Sequence, residues 1–205
     1  MKLGHIIYTV KDLDAAVKEW QGKGFTVEYG RKKNPINALI YFSEGPYIEL
    51  MQGSGMSSFS KGIMKLLGKK KFMERFDYWD TCDEGWSCLA IEKEPGGLDQ
   101  EVSYLTSMGI NGTYMKNLSR TDTQGRKLEY KCYFTDDVAM PFLMSYFNID
   151  PKPKNYVHPN GFRRVTRVVY RVNPKYIGAL HHLVDDKTLV LEEADDFKVL
   201  RVDFA

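Results

Sequence analysis

One order of secondary structure, strand-helix-strand-strand-strand, occurs twice along this chain of 205 residues and constrains its fold more than any other feature. In the first copy, an apolar strand at residues 6–10 leads through Asp12, a favourable N-cap, into a helix with apolar residues at helical spacing. Three strand-like runs follow at residues 25–30, 37–43 and 47–51, and turn signals separate them. The pattern predicts βαβββ modules that share sheets.

The second copy repeats the same order after a gap. Its predicted elements are a strand at residues 86–91, a helix face that ends at Gly109, and strands at about 112–115, 127–134 and 141–147. The order of elements therefore predicts two modules of one architecture.

A third, shorter copy closes the chain. Its first strand, residues 165–172, aligns with residues 3–10 and matches it in apolar character at five of eight positions. A helix begins at Asn173-Pro174, an N-cap followed by proline at the first helical position, and strands are predicted at 188–192 and 198–204. This unit is expected to lack one strand of the module.

Composition is that of an ordinary globular protein, with 43% hydrophobic and 27% charged residues, so the chain needs no disulfide or metal to be stable. We therefore expect a single domain over residues 1–205. It divides into module 1 (3–52), a helical basic insertion (53–84), module 2 (85–147), a linker (148–162) and a short module 3 (163–204).

The cysteines and the start of the chain indicate a compartment. Cys82, Cys88 and Cys132 cannot all pair and form no C-x-x-C motif, which favours a reducing environment. The first residues lack the apolar region of a signal peptide, and the longest apolar run, 138–144, falls far short of the ~20 residues that span a bilayer. The expected location is the cytoplasm, without a membrane span.

Charge is unevenly distributed although the net charge is only +2. Residues 61–75 carry six basic residues and one acidic residue, and residues 185–196 carry six acidic residues and one basic residue. Apolar residues interleave with the basic ones, which favours a solvated amphipathic helix and disfavours nucleic acid as a partner. A phosphate, membrane or homodimer interface at this insertion stays open as an alternative.

Several blocks of the first module, in order, resemble a glyoxalase-like domain of the vicinal oxygen chelate superfamily. They are LGHIIYTVKDLDAA (3–16), GFTV (24–27), NALIYF (37–42) and YIELM (47–51). Two later and weaker landmarks are PFL (141–143) and HPNG (158–161). The resemblance implies an α+β fold in which βαβββ modules form a cupped, incomplete β-barrel with flanking helices. Members of the superfamily isomerise, cleave or transfer groups to small substrates on a divalent metal, and some only bind small molecules.

The resemblance also implies a metal site. Its members commonly hold the ion with a histidine on the first strand and a glutamate on the last, and His5 and Glu49 match these positions. Imidazole and carboxylate suit Zn, Ni, Fe or Mn. Asp203, aligned with Glu49 in the third unit, is a candidate third ligand, and Glu49 is also the candidate proton-transferring catalytic residue.

Departures from the family pattern leave a second hypothesis open. Arg167 stands where the third unit should have its histidine, and a guanidinium cannot ligate a cation. Arg167 could instead bind an anionic ligand, with His158 and Asn37 as further candidate ligand-binding residues and with no metal at all. His158, in a loop before proline, is equally compatible with a surface turn.

Two functions therefore follow from the sequence. The first is a glyoxalase-like small-molecule enzyme, either a metal-dependent lyase or isomerase or a dioxygenase. The second is a non-catalytic binding or resistance protein of the same fold that holds an anionic or aromatic ligand, with the insertion as a lid. No serine-hydrolase elbow, P-loop or dinucleotide-binding glycine motif is present to support other enzyme classes.

Overall fold

The computed structural model describes residues 1–205 and forms the first module in the expected order. Its elements are β1 (Lys2–Thr9), α1 (Leu13–Gly22), β2 (Glu28–Tyr29), β3 (Asn37–Ile40) and β4 (Tyr47–Met51). The carboxylate of Asp12 accepts a hydrogen bond from the Ala15 amide, so the predicted N-cap begins α1. Strand β2 is much shorter than the predicted run at residues 25–30.

The insertion folds as two helices, α2 (Ser58–Leu66) and α3 (Lys70–Thr81). The side chain of Ser57 caps α2 by accepting a hydrogen bond from the Ser60 amide. Helix α3 buries Phe72, Met73 and Trp79 against the sheet formed by both modules. The insertion is thus a cover over one face of that sheet.

The second module repeats the first. Its elements are β5 (Gly85–Lys93), α4 (Asp99–Ser107), β6 (Gly112–Thr121), β7 (Lys127–Thr135) and β8 (Phe142–Ser145). Strand β6 is longer than expected because it continues past an irregularity in its pairing with β7, between Met115 and Leu118. The linker at 148–162 contains no helix or strand.

Modules 1 and 2 together make one eight-stranded sheet in the order β2-β3-β4-β1-β5-β8-β7-β6. In each module the first strand runs parallel to the last, β1 with β4 and β5 with β8. The two modules join through the antiparallel pair β1 and β5, where Ile6 faces Leu89. The sheet curls into a half-barrel, and the predicted α+β fold of repeated modules is confirmed.

The third unit forms a separate sheet. It comprises β9 (Val165–Val172), α5 (Pro174–Leu183), β10 (Leu189–Glu193) and β11 (Lys198–Phe204). Strand β10 runs parallel to β9 as the last strand of a module does, whereas β11 lies antiparallel on the other side of β9. The unit therefore has three strands where the module has four, and its last strand, β11, pairs with β9 in a way that no strand within module 1 or module 2 does.

Side chains alternate between the two faces of the large sheet. The outer face, with residues such as Ile6 and Leu89, packs against α1, α5 and the third unit in a core cluster of 30 buried residues. The inner, concave face, with Ile7 and Ala90, packs under α3 in a second cluster of 13 buried residues. None of the five helices is long and apolar enough to cross a membrane.

Candidate functional site

A cavity of about 170 Å³ lies in the concave face of the large sheet, between the strands and α3. Both modules and the insertion contribute to its wall. Eleven of its fifteen lining residues are hydrophobic, and the polar ones include His5, Asn37, Glu49 and Arg120. A mainly apolar cavity with a few convergent polar groups is the usual form of a small-molecule site.

His5 lies at the base of the cavity, between two carboxylates from different strands. Its Nδ1 is 2.6 Å from Oε1 of Glu92, and its Nε2 is 3.5 Å from Oε2 of Glu49. The imidazole is 3% exposed and stacks on Tyr47 at 4.7 Å between ring centroids. The carboxylate of Glu92 fixes the orientation of the ring through its contact with Nδ1, so that Nε2 points to Glu49.

Glu49 is the carboxylate that faces the cavity. It is 17% exposed, and the Asn37 amide donates a hydrogen bond of 2.7 Å to its Oε1. The side chain of Asn37 occupies the place that a Cβ would take at Gly30, since such a Cβ would overlap the Asn37 amide. Glycine at position 30 is therefore what allows Asn37 to reach Glu49.

Glu92, which the sequence reasoning missed, is buried behind His5. A Cβ at residue 4 would overlap the Glu92 side chain, so Gly4 leaves the space in which this carboxylate lies. The signal in the sequence is slight: on β5, Glu92 lies on the same face as Cys88 and Ala90, which both line the inner core. An acidic residue in that series is the only indication.

Arg120 supplies the positive charge of the cavity, and sequence reasoning missed it too. Its guanidinium donates to the Gly30 carbonyl at 2.9 Å and to the Tyr41 hydroxyl at 2.8 Å. Burial opposes its charge, but the neighbouring Tyr41, Tyr47 and Glu49 outweigh burial and raise the pKa of Arg120. The remaining N–H groups of the fork are free for a ligand. No pattern pointed to it, because it follows the irregular part of β6.

Apart from Arg120, the second module contributes apolar or weakly polar side chains to the cavity, which are Tyr130, Cys132, Phe134, Phe142, Met144 and Phe147. Burial, with the charges of Glu92 and Glu49, holds the pKa of the Cys132 thiol well above its ordinary value. The thiol is therefore neutral and unreactive. Unlike module 1, this module offers no histidine and glutamate pair.

Asp203 and Arg167 do not reach the cavity, so the expected set of His5, Glu49 and Asp203 is not assembled. Both lie in the small sheet, opposite each other on β11 and β9, against the outer face of the large sheet. The alignment of Asp203 with Glu49 was wrong because β11 is antiparallel to β9. In module 1, Glu49 on β4 lies opposite Ile7 on β1. The corresponding pair in the third unit is Val190 on β10, the strand parallel to β9, opposite Val169 on β9. Valine therefore stands where the third unit would need a carboxylate.

His158 is neither a surface residue nor part of the cavity. It is 2% exposed, and its Nδ1 accepts a hydrogen bond from the Thr26 amide at 3.0 Å. Its ring packs against Phe25 and Phe42 in the outer core. Burial lowers its pKa. The structure therefore gives it a packing role, and the site consists of His5, Asn37 and Glu49 from the predicted residues with Glu92 and Arg120 added.

The chain belongs to a family whose model is described as a glyoxalase-like domain and matches residues 3–184. This match confirms the resemblance seen in the first module and extends it through the second. No protein of curated function matches the chain.

Solved structures share the fold at low sequence identity. A hypothetical protein from Staphylococcus aureus superposes with a TM-score of 0.65 at 13% identity, over 97% of this chain and 88% of that one. A fusion protein of a xylose isomerase-like TIM barrel with 4-hydroxyphenylpyruvate dioxygenase gives 0.53 at 12% identity, over 99% of this chain and 36% of that one. Streptomyces coelicolor methylmalonyl-CoA epimerase gives 0.43 at 15% identity, over 71% and 97%. The chain thus has the glyoxalase-like fold that the family match indicates, and the Staphylococcus aureus protein shares that fold.

Proposed function

We propose that the cavity binds a small carbonyl compound with an apolar body and a carboxylate, and that Glu49 moves a proton on the carbon beside the carbonyl. The observation that carries this proposal is the Glu49 carboxylate, partly exposed in an apolar cavity, with Asn37 on one oxygen and His5 near the other. A positioned carboxylate of this kind can act as a general base.

The proposed step is balanced within the site. Glu49 takes a proton from the α-carbon, and the electron pair of the C–H bond moves to form the enolate of the carbonyl. Because Glu49 is partly exposed, the proton that it takes can exchange with water before a proton is returned to the carbon or to a neighbouring atom. The result is exchange, epimerisation or isomerisation without a co-reactant. His5, held by Glu92, exchanges a proton with Glu49 through Nε2, since the two groups are 3.5 Å apart.

Arg120 is proposed to bind the carboxylate of the ligand and to stabilise the enolate. A planar guanidinium matches a carboxylate with two parallel hydrogen bonds. Hydrogen bonds to Gly30 and Tyr41 hold it in place before the ligand arrives, so little reorganisation is needed in the reaction. Arg120 thus takes the anion-binding role that the sequence assigned to Arg167.

A divalent metal is not part of this proposal because the donors in the cavity do not fit one. The histidine, carboxylate and thiol groups that line the cavity are His5, Glu49 and the neutral thiol of Cys132, and no group of three such residues is close enough to hold an ion. Nδ1 of His5 is engaged by Glu92. Arg120 adds a fixed positive charge, which would repel a cation. We therefore derive no step through a metal.

The test uses phenylpyruvate and 4-methyl-2-oxopentanoate as probes, both 2-oxo acids with hydrogens beside the carbonyl. Proton NMR in D2O follows exchange of these hydrogens, and thermal shift follows binding. We expect Glu49→Gln to slow exchange by at least about 100-fold, the usual contribution of a general base, while binding persists. Arg120→Gln should weaken binding of both acids. The exposed Glu94 gives a matched control, since Glu94→Gln should change neither quantity.

The apolar lining favours one further candidate, a non-catalytic binding protein of the same fold. Binding of the acids that depends on Arg120, with exchange no faster than in buffer, would establish that alternative and exclude the proton-transfer proposal. Thermal shifts that are unchanged in Arg120→Gln would contradict the proposed ligand class altogether.

The compartment is proposed to be the cytoplasm. All three cysteines are free, and Cys88 and Cys132 are buried in the inner core. Free thiols of this kind suit a reducing environment.

A further inference from the structure

The insertion carries an apolar helix face that nothing in the structure covers. On α2 and the residue after it, Phe59 is 78% exposed, Ile63 43%, Leu66 88% and Leu67 69%. They are four of the seven large hydrophobic residues that the chain exposes. Their spacing of four, three and one residues places them on one side of the helix.

The opposite side of α2 is fixed to α3, so this exposure follows from a definite orientation. Lys61 is buried and makes ion pairs with Asp80 and, at 3.0 Å, with Asp77. Lys65 adds an ion pair of 2.6 Å to Asp77, and Met64 packs towards the inner core. The helix is thus docked by its polar and methionine side, and its apolar side is turned to solvent.

Three lysines follow directly after the apolar face. Lys69, Lys70 and Lys71 are exposed and make no ion pair within the chain, and no acidic residue occurs anywhere in residues 56–73. Gly68, with a φ of +78°, makes the turn that joins this lysine cluster to α2. An apolar face and a cluster of lysines without ion-pair partners are therefore adjacent along the chain.

We propose that this surface, formed by Phe59, Ile63, Leu66, Leu67 and Lys69–Lys71, docks on a membrane that contains anionic lipids. Helices that lie in the membrane interface combine exposed Phe and Leu with lysines that contact anionic headgroups. Protein interfaces, in contrast, are depleted in lysine, and a symmetric contact between two copies would bring two lysine clusters together. The inference does not depend on the chemistry of the cavity.

Flotation with vesicles tests the proposal. We expect the wild-type protein to float with vesicles of phosphatidylcholine that contain phosphatidylglycerol and not with phosphatidylcholine alone, and added salt should weaken the binding. Changing Lys69, Lys70 and Lys71 together to Gln should reduce binding on the order of 100-fold. Leu66→Gln, at the most exposed position, should weaken it without affecting the fold.

Matched controls come from exposed residues outside the surface. The triple change of Lys32, Lys33 and Lys154 to Gln alters the net charge equally, and Ile149→Gln removes an exposed apolar residue elsewhere. Both should leave flotation unchanged. Equal loss in the control triple, or no flotation of the wild type, would overturn the proposal. A dimer in analytical ultracentrifugation that Leu66→Gln dissociates would overturn it in favour of self-association.

Discussion

Single residues that touch no ligand set the geometry of the site. Gly4 and Gly30 are examples, since each leaves the space that a polar side chain from another strand occupies. Glu92 reaches His5 across Gly4, and Asn37 reaches Glu49 across Gly30. The arrangement of the acid–base groups therefore depends on the absence of a Cβ atom at these two glycines as much as on the acid–base groups themselves.

Gly4→Ala should displace the Glu92 carboxylate from Nδ1 of His5, because the new Cβ would overlap it. A buried carboxylate without its partner is costly, and we expect a loss of about 2 kcal/mol in the free energy of unfolding. Urea denaturation measures the loss, and the NMR signal of the His5 ring should move. Gly22→Ala is the control, since it meets nothing within 4 Å. Equal free energies of unfolding for the wild type and Gly4→Ala would contradict this prediction, because they would show that the Glu92 side chain can move away from the new Cβ and still be paired.

His158 should make stability depend on pH. Burial lowers its pKa below the ordinary 6.5 in the folded chain, so the unfolded chain binds more protons between the two values. The stability that neutral His158 contributes to the folded chain is therefore fully present above about pH 6.5, and it is lost as the pH falls towards the pKa of His158 in the folded chain. In His158→Asn, whose amide oxygen can still accept from Thr26, the drop in melting temperature between pH 7.5 and about 5.5 should be smaller. Calorimetry at both values decides this, and equal drops in the two proteins would contradict it.

At the scale of elements, α3 is anchored by one buried arginine. Arg75 is fully buried, and its Nη2 shares its two N–H groups among the carbonyls of Thr135 at 3.1 Å, Asp137 at 2.8 Å and Met140 at 2.9 Å and the Thr135 hydroxyl at 2.7 Å. These carbonyls belong to the end of β7 and the connection to β8. The arginine thus ties the cover of the cavity to the second module.

Arg75→Met should leave these buried carbonyls with the Thr135 hydroxyl as their remaining side-chain donor, which reaches the carbonyls of Asp137 and Met140 only. We expect it to lower the free energy of unfolding by about 2 kcal/mol, which is modest because Nε and Nη1 of Arg75 already lack partners in the wild type. Chemical denaturation gives the value, with the exposed neighbour Glu74→Met as control. If the variant were as stable as the wild type, the cost of burying the unpaired Nε and Nη1 would equal the stabilisation from the hydrogen bonds of Nη2, and the prediction would be wrong.

The elements were largely predictable from the sequence, whereas their pairing was not. Caps at Asp12 and Asn173 and periodic apolar residues marked helices because these signals are local. The direction of β11 is set by packing against β9 and has no local signal, which is why Asp203 was placed wrongly. His5 and Glu49 were found because the parallel pairing of β1 with β4 was implied by the family resemblance.

At the scale of the whole molecule, the three units share one core. The outer cluster of 30 buried residues contains Trp20 from module 1, Leu105 from module 2 and Leu180 from the third unit. The hydroxyl of Tyr170 also donates to the carbonyl of Ala139, at 2.5 Å, and so links the small sheet to module 2. The third unit therefore supports the half-barrel from outside and leaves the concave face to the cavity.

The site combines residues from distant parts of the chain, and this limits what the sequence could show. Glu92 comes from module 2 and contacts His5 of module 1 across the joint between β1 and β5. Arg120, on the edge strand β6 of module 2, reaches Gly30 and Tyr41 of module 1 across the concave face and lies close enough to Glu49 to interact with its charge. The resemblance was clear only in the first module, so it identified only that half of the site. The other half departs from the paired-ligand pattern and could be identified only from three-dimensional packing.

The position of Trp79 gives the cavity a built-in optical probe. Its indole N–H lies 3.4 Å from the sulfur of Cys88 in the wall of the cavity, whereas Trp20 and Trp86 contact each other in the outer core. In a variant that combines Trp20→Phe with Trp86→Phe, all tryptophan fluorescence would come from Trp79 in the cavity wall. Occupancy of the cavity and movement of its cover could then be followed by intrinsic fluorescence, without a label and before any substrate is known.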